Sequence, residues 1–140
     1  MFSKEERSTF PYWFAHWCAF NMTALNLRAW KFKYLFHDIE KPWLRLFWDY
    51  EKVQRWHRYH NNHHLEYMYR GTVDVEAMLI DWECSRFTKE ASPLTARQEW
   101  EKIVEEWNAC DQYDHYYYRY IMSRHPELKT VDKVLEKLGL

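Results

Sequence analysis

Residue types that bind transition metals recur in four places along this 140-residue chain. His16 lies in Trp13-Phe14-Ala15-His16-Trp17. His37-Asp38 form a single step. His57, His60, His63 and His64 fall within one short run, and Asp81 lies in Met78-Leu79-Ile80-Asp81-Trp82-Glu83. Neutral imidazole and carboxylate together suit Mn, Fe, Co, Ni or Zn. Such an ion lowers the pKa of its bound water to about 7 and supplies hydroxide at neutral pH. The pattern therefore points to a metal centre of one or two ions. His16, His37, Asp38 and Asp81 are candidate ligands of the first. Two or more of the four clustered histidines hold a second ion or position the substrate, with His57 and His64 read as ligands and His60 and His63 as catalytic groups. Lys41, three residues past Asp38, suits the charge on phosphoryl oxygens. Asn61 suits a ligand-orienting or substrate-contacting role.

Each of these residues also has a purely structural reading. A histidine at a helix C-terminus is favoured by the helix dipole, beside a solvated Asp. Asp81, on an apolar helix, needs either an ion or a salt bridge to Arg28 or Arg86. The histidine run also fits a solvated polar face, and His16 a hydrogen-bonded core residue. Glu83, Asp114 and His115 are further candidates. Asp114 interrupts an apolar helix face.

The elements that must position these groups are helices. The chain has two glycines and four prolines. That leaves too few tight-turn signals for a sheet. It also rules out the glycine-rich phosphate loop, the dinucleotide fingerprint and the nucleophile elbow. Pro11 and Pro42 mark first helical turns, and Thr72 precedes first-turn acids Asp74 and Glu76. Ser92-Pro93 opens a segment with a capping box at Thr95 and Gln98. Thr130 caps a short last helix that ends near Gly139. Helical spacing of Trp100, Val104, Trp107, Cys110, Tyr117 and Ile121, and of Val131, Val134, Leu135 and Leu138, completes the pattern. It predicts helices near 11–22, 24–36, 43–69, 73–88, 94–123 and 130–138. The expected fold is all-α: one compact helical bundle over residues 1–140, with a short lead at 1–9.

Nine Trp, eleven Tyr and eight Phe supply the core, and so much aromatic surface also suits a homodimer interface. The net charge of −1 removes any long-range pull on nucleic acid or anionic lipid. Three cysteines without a Cys-x-x-Cys argue against a disulfide framework. The N-terminus lacks signal-peptide form, and the apolar run from Phe10 to Phe20 is too short to span a bilayer. A cytoplasmic protein is expected.

The order of motifs resembles a domain-of-unknown-function family of bacteria and their phages. The likeness rests on His16, His37-Asp38-x-x-Lys41, Asn61-Asn62-His63-His64, Asp81-Trp82-Glu83-Cys84-Ser85 and His125-Pro126-Glu127, and so covers most of the chain. Glu40 stands where that family tends to have Ser, and a glycine before its His-Asp step is missing. The order of a His, a His-Asp step and a distant Asp is also similar to that of the HD-type metal phosphohydrolases. The segment His37-Asp38-Ile39-Glu40-Lys41-Pro42 resembles the metal motif of cyclic-dinucleotide phosphodiesterases in that superfamily. The resemblance implies an HD-like helical domain and hydrolysis of a small phosphate ester, a nucleotide or nucleotide second messenger, through a metal-bound hydroxide. Its rivals are an HD-type di-iron oxygenase and a non-enzymatic helical binding or assembly module with structural histidines.

Overall fold

The computed structural model describes residues 1–90, 94–109 and 116–140. All regular elements within them are helical. The one extended pairing among the described residues is an isolated bridge between Phe2 and Lys89. Seven α-helices follow in order: α1 (Phe10–Asn26), α2 (Glu40–Leu44), α3 (Tyr50–His60), α4 (Val75–Cys84), α5 (Ala96–Ala109), α6 (Tyr116–Arg124) and α7 (Val131–Leu138). Short 3-10 turns join several of them. No helix among the described residues is long and apolar enough to cross a membrane.

The bundle is built around α4. Asp74 caps it, its side chain accepting from Ala77 N at 3.2 Å. Ala77, Met78, Leu79, Ile80 and Cys84 are all buried, as expected of a helix that neighbours surround. On one side lies α1, started by Pro11 in its first turn and by Thr9, which accepts from Tyr12 N. Tyr12, His16, Phe20 and Ala24 recur every four residues on α1 and are all buried. That spacing makes one stripe, so His16 sits on the face that meets α4. Ala96 and Trp100 of α5, Ile121 and Met122 of α6, and Val131 and Leu135 of α7 complete the core. The capping box at α5 forms as expected: Thr95 N donates to Gln98 Oε1 at 2.9 Å, and Gln98 N to Thr95 Oγ1 at 3.1 Å. Glu83, buried at the end of α4, accepts from Ala96 N at 2.9 Å. Gly139 ends α7 at φ 76, a left-handed conformation that suits glycine.

Four expected features differ. The span 24–36 is not a helix: α1 runs to Asn26, Arg28 turns at φ 55, and only a 3-10 turn forms over Phe32–Phe36. The long helix over 43–69 is broken after Leu44 and ends at His60, where Asn61 turns extended and its amide donates to His57 O at 3.0 Å. Asp74, not Thr72, caps α4. Thr130 makes no side-chain cap on α7 but donates to Glu127 O. Cys110, Asp114, His115 and the Ser92-Pro93 step lie outside the described residues. The aromatic residues divide between core and surface, with Phe32, Phe36, Trp43 and Phe47 exposed. Cys18 and Cys84 are free thiols.

Leu79 has no exposed surface. Leu79→Ala should lower unfolding free energy by about 2–5 kcal/mol, through lost burial and the cavity left behind. Denaturant titration reads this as a shifted midpoint; a midpoint unchanged from wild type would show that α4 is not the centre of the core.

Candidate metal centre

Local structure explains why two adjacent residues face one point. Phe36–Ile39 forms a turn closed by Ile39 N donating to Phe36 O at 3.3 Å. His37 takes φ −60, ψ 123, and Asp38 takes φ 56. These are the two corners of a type II turn, whose second corner normally needs Gly or Asn. Asp38 holds that left-handed position because α1 grips the loop. Trp13 Nε1 donates to Asp38 O at 2.8 Å, Trp17 Nε1 to Leu35 O at 3.0 Å, and Asn21 Nδ2 to Tyr34 O at 3.0 Å. Residues 13, 17 and 21 form a second stripe on α1, beside the one that carries His16. Phe20 stacks on the His37 ring at 3.6 Å between centroids.

Two sets of donor atoms meet at Asp38. In the first, His16 Nε2 lies 2.9 Å from Asp81 Oδ1 and 3.2 Å from His37 Nε2, and His37 Nε2 lies 3.2 Å from Asp81 Oδ1. Asp38 closes this set, with Oδ2 3.5 Å from His16 Nε2 and Oδ1 3.5 Å from His37 Nε2. In the second, Asp38 Oδ1 lies 3.0 Å from His57 Nε2 and 3.1 Å from His63 Nε2. His64 joins this second set within 4.8 Å. Ligands bound about 2.1 Å from an ion sit roughly 3.0 Å apart at right angles and 3.4 Å apart at tetrahedral angles. The observed spacings are the edges of such polyhedra. The hydrogen-bond geometry agrees. Asp38 Oδ1, Asp81 Oδ1, His57 Nε2, His63 Nε2 and His64 Nε2 are buried without a hydrogen bond. Their lone pairs and N–H bonds miss one another although the atoms are close. Buried polar atoms are normally satisfied, so this donor set fits a cation.

Outer contacts fix the rings. His57 Nδ1 pairs with Glu40 Oε1, which also accepts from Asn61 Nδ2 at 3.0 Å. A carboxylate behind an imidazole turns its other nitrogen toward an ion. His16 Nδ1 faces the Cys84 thiol at 3.9 Å. Lys41 Nζ lies 3.1 Å from Asp38 Oδ2 and borders an open cavity of about 520 Å³.

Protonation follows from burial and neighbours. Burial pushes the His37 pKa down to about 4, against the pull of Asp38 and Asp81, so its ring is neutral at pH 7. Burial, then the neighbouring His63, hold His64 well below the ordinary value. For Asp38, burial pushes upward, but His37, Lys41 and His57 override it and keep the carboxyl well below the usual range. For Asp81, burial is likewise overridden by the adjacent His16 and His37 rings, which keep the carboxyl well below its usual range. His57 goes the other way: burial is outweighed by Asp38 and Glu40, which raise its pKa.

The structure thus brings together His16, His37, Asp38, Asp81, His57, His63 and His64. His63 lies among the ligand-type atoms rather than as a separate base. Asn61 holds Glu40 and caps α3. His60 is not brought to the centre: it is exposed, stacks on Trp56 and has Nδ1 2.8 Å from Trp56 O. His57, His60 and His64, three and four residues apart, would share one face of a continuous helix over 43–69, but α3 ends at His60. Beyond it the chain turns back, bringing both His63 and His64 inward. Asp81 meets His16 and His37, while Arg86 pairs with Glu83. Glu40 was missed as a site residue; its only sequence signal was its departure from the Ser of the resembling family.

Two outcomes follow. In chelator, stability should peak near the ordinary His pKa of about 6.5. Below that value the unfolded chain gains protons that folded His37 and His64 refuse, so stability falls as pH drops toward 4. Above it, the raised His57 keeps a proton that the unfolded chain has lost, so stability falls again as pH rises through the His57 pKa. A melting temperature flat from pH 4 to 9 would contradict these environments. Second, metal loading at a pH below the raised His57 pKa should release the His57 proton, read by calorimetry in buffers of different ionisation enthalpy. Glu40→Gln should weaken metal affinity by about 10–100-fold and reduce that release; unchanged affinity would remove Glu40 from the centre.

No family model matches the chain, and no curated protein or solved structure matches it, so the reading of this centre rests on its own geometry.

Proposed function

We propose that this chain is a metal-dependent phosphohydrolase of HD type, cleaving a small phosphate ester such as a nucleotide or nucleotide second messenger. The observation that supports this best is Asp38. Its two oxygens join both ligand sets, and Lys41 stands at its cavity side. His16, His37, Asp38 and Asp81 would hold one divalent ion; Asp38, His57, His63 and His64 would hold a second. A divalent ion there supplies hydroxide at neutral pH by acidifying water. The protein's own groups do the rest. Neutral His37 and His64 offer free lone pairs without first losing a proton. Glu40 orients His57. Lys41, one-fifth exposed beside a carboxylate that an ion would neutralise, becomes free to meet phosphoryl oxygens, where such a charge counts most as negative charge develops. The cavity at Lys41 is also bordered by Arg7, Arg58 and Lys89, which favour an anionic substrate.

Metal analysis of untagged protein should find a transition ion. Asp38→Ala and Asp81→Ala should each strip it and lower the melting temperature, because metal binding stabilises the folded state. Turnover of nucleoside monophosphates, cyclic nucleotides, cyclic dinucleotides and a chromogenic ester should vanish with chelator for whichever is a substrate. Lys41→Ala should retain metal but lose about 10²–10³ in turnover. Metal-loaded protein that cleaves nothing in this panel would sink the hydrolase reading; full metal retention in both Asp variants would sink the centre.

A further inference from the structure

Two cavities meet at the centre, and they differ in kind. One, of about 310 Å³, is lined by Phe10, Trp13, Pro42, Leu46 and Val53. The other, of about 520 Å³, carries Lys4, Arg7, Lys41, Arg55, Arg58 and Lys89. Tyr12, His16, Asp38, Lys41 and Tyr50 border both, so the two are lobes of one site. Each is of the size that small-molecule sites have, roughly 300–1,000 Å³.

The charged lobe holds more positive charge than one phosphate uses. An ion and Lys41 suffice for the phosphoryl group at the centre. Lys4, Arg7, Arg55, Arg58 and Lys89 remain, and among the described residues none has a salt-bridge partner. Beyond the centre's own Asp38 and Asp81, Glu51 and Glu66 are the acids in this lining. Arg7 Nε is buried and makes no hydrogen bond, a donor without an acceptor. Arg55 and Arg58 lie three apart on α3, where like charges repel unless an anion lies between them. The Phe2–Lys89 bridge, with Phe2 N donating to Thr88 O at 2.8 Å, ties the lead to the segment around Lys89 and brings Lys4, Arg7 and Lys89 to the same lobe.

The apolar lobe offers rings and few free polar groups. Thr9 and Ser8 hydroxyls donate to Glu6 O and Glu5 O, Trp13 Nε1 to Asp38 O, and Arg45 to Trp48 O. A planar aromatic group can stack there, and apart from the Arg7 guanidinium, which borders this lobe as well as the charged one, few groups remain to read its edge.

Resting on the phosphohydrolase reading, we infer that the substrate is a nucleoside carrying two or more phosphates, its base in the apolar lobe and its chain of phosphates across the centre into the charged lobe, with little selection among bases. The test is binding, so turnover is not required. Wild-type protein with excess divalent ion, and again in chelator, is titrated with a non-hydrolysable nucleoside triphosphate analogue, the matching monophosphate and nucleoside, inorganic tripolyphosphate and geranyl diphosphate. The triphosphate should bind at least about tenfold more tightly than the monophosphate, the size of one charge-assisted hydrogen bond, and also more tightly than tripolyphosphate. Arg58→Gln should shrink the first preference, and Leu46→Asp the second. Adenine and guanine analogues should agree within about tenfold, whereas a site that hydrogen-bonds its substrate discriminates by about 10⁴–10⁵. Equal binding of mono- and triphosphate, preference for geranyl diphosphate, or strong base selection overturns the inference. The expected order without hydrolysis of any member leaves the inference standing and counts against the phosphohydrolase reading alone; hydrolysis of a simple ester without the order does the reverse.

Discussion

The carboxylate of Asp38 is the point on which this structure turns. It is almost wholly buried, yet five basic side chains, His16, His37, Lys41, His57 and His63, come within 3.5 Å of its two oxygens. A lone buried carboxylate would protonate or unfold the chain. Here the surrounding charges keep it ionised, and the same arrangement makes it a bridge between two ligand sets. Remove the negative charge and four imidazoles and an ammonium are left crowded in a dry space. The centre is therefore a balance of opposite charges whose members are each unstable alone.

Holding that carboxylate in place needs backbone work that a low-glycine chain must do with other residues. The second corner of the Phe36–Ile39 turn is left-handed, where a non-glycine residue costs about 1–2 kcal/mol. Asp38 occupies it all the same. The compensation comes from α1, whose Trp13, Trp17 and Asn21 bond to three carbonyls of the loop. Two tryptophans and an asparagine at four-residue spacing thus act as a rail for the loop, while the neighbouring stripe of Tyr12, His16, Phe20 and Ala24 packs inward. One helix supplies both a ligand and the scaffold that aims two others. Strain of this kind collects at functional sites because surrounding structure over-determines it.

The sequence told more about chemistry than about geometry. Asp81 was legible because a carboxylate on an apolar helix needs a partner, and His16 only through its order ahead of His37-Asp38; the two side chains meet at the centre. The all-helical class was legible from sparse glycine and from caps, of which the Thr95–Gln98 box formed in full. What sequence spacing misjudged was where helices stop. The helix expected over 43–69 stops at His60, where Asn61 turns extended, and His60 is left outside the centre. The left-handed Asp38 left no local mark, since its stabilising donors lie 25 residues away. Glu40 read as a substitution within a resembling motif, and its bond to His57 exists only because α2 and α3 meet in space.

That bond also bears on the protonation of the centre. His57 stands between two carboxylates, Asp38 on one side and Glu40 on the other. Below its raised pKa the ring carries a proton on each nitrogen and lies as a cation between them. A metal ion held beside Asp38 would neutralise that carboxylate, and His57 could hold it through Nε2 only without the proton there. Glu40 keeps its partner throughout, through Nδ1. The proton is thus a placeholder for the ion at one end of the ring only. His37 would need no such exchange at pH 7, because burial keeps its ring neutral. The two ligand sets around Asp38 therefore differ in what they give up on loading: the His16–His37–Asp81 set offers an imidazole that is already neutral, and the His57–His63–His64 set offers one that must first surrender a proton. Acidification weakens the second set first, since His57 regains its proton at a pH where His37 is still free.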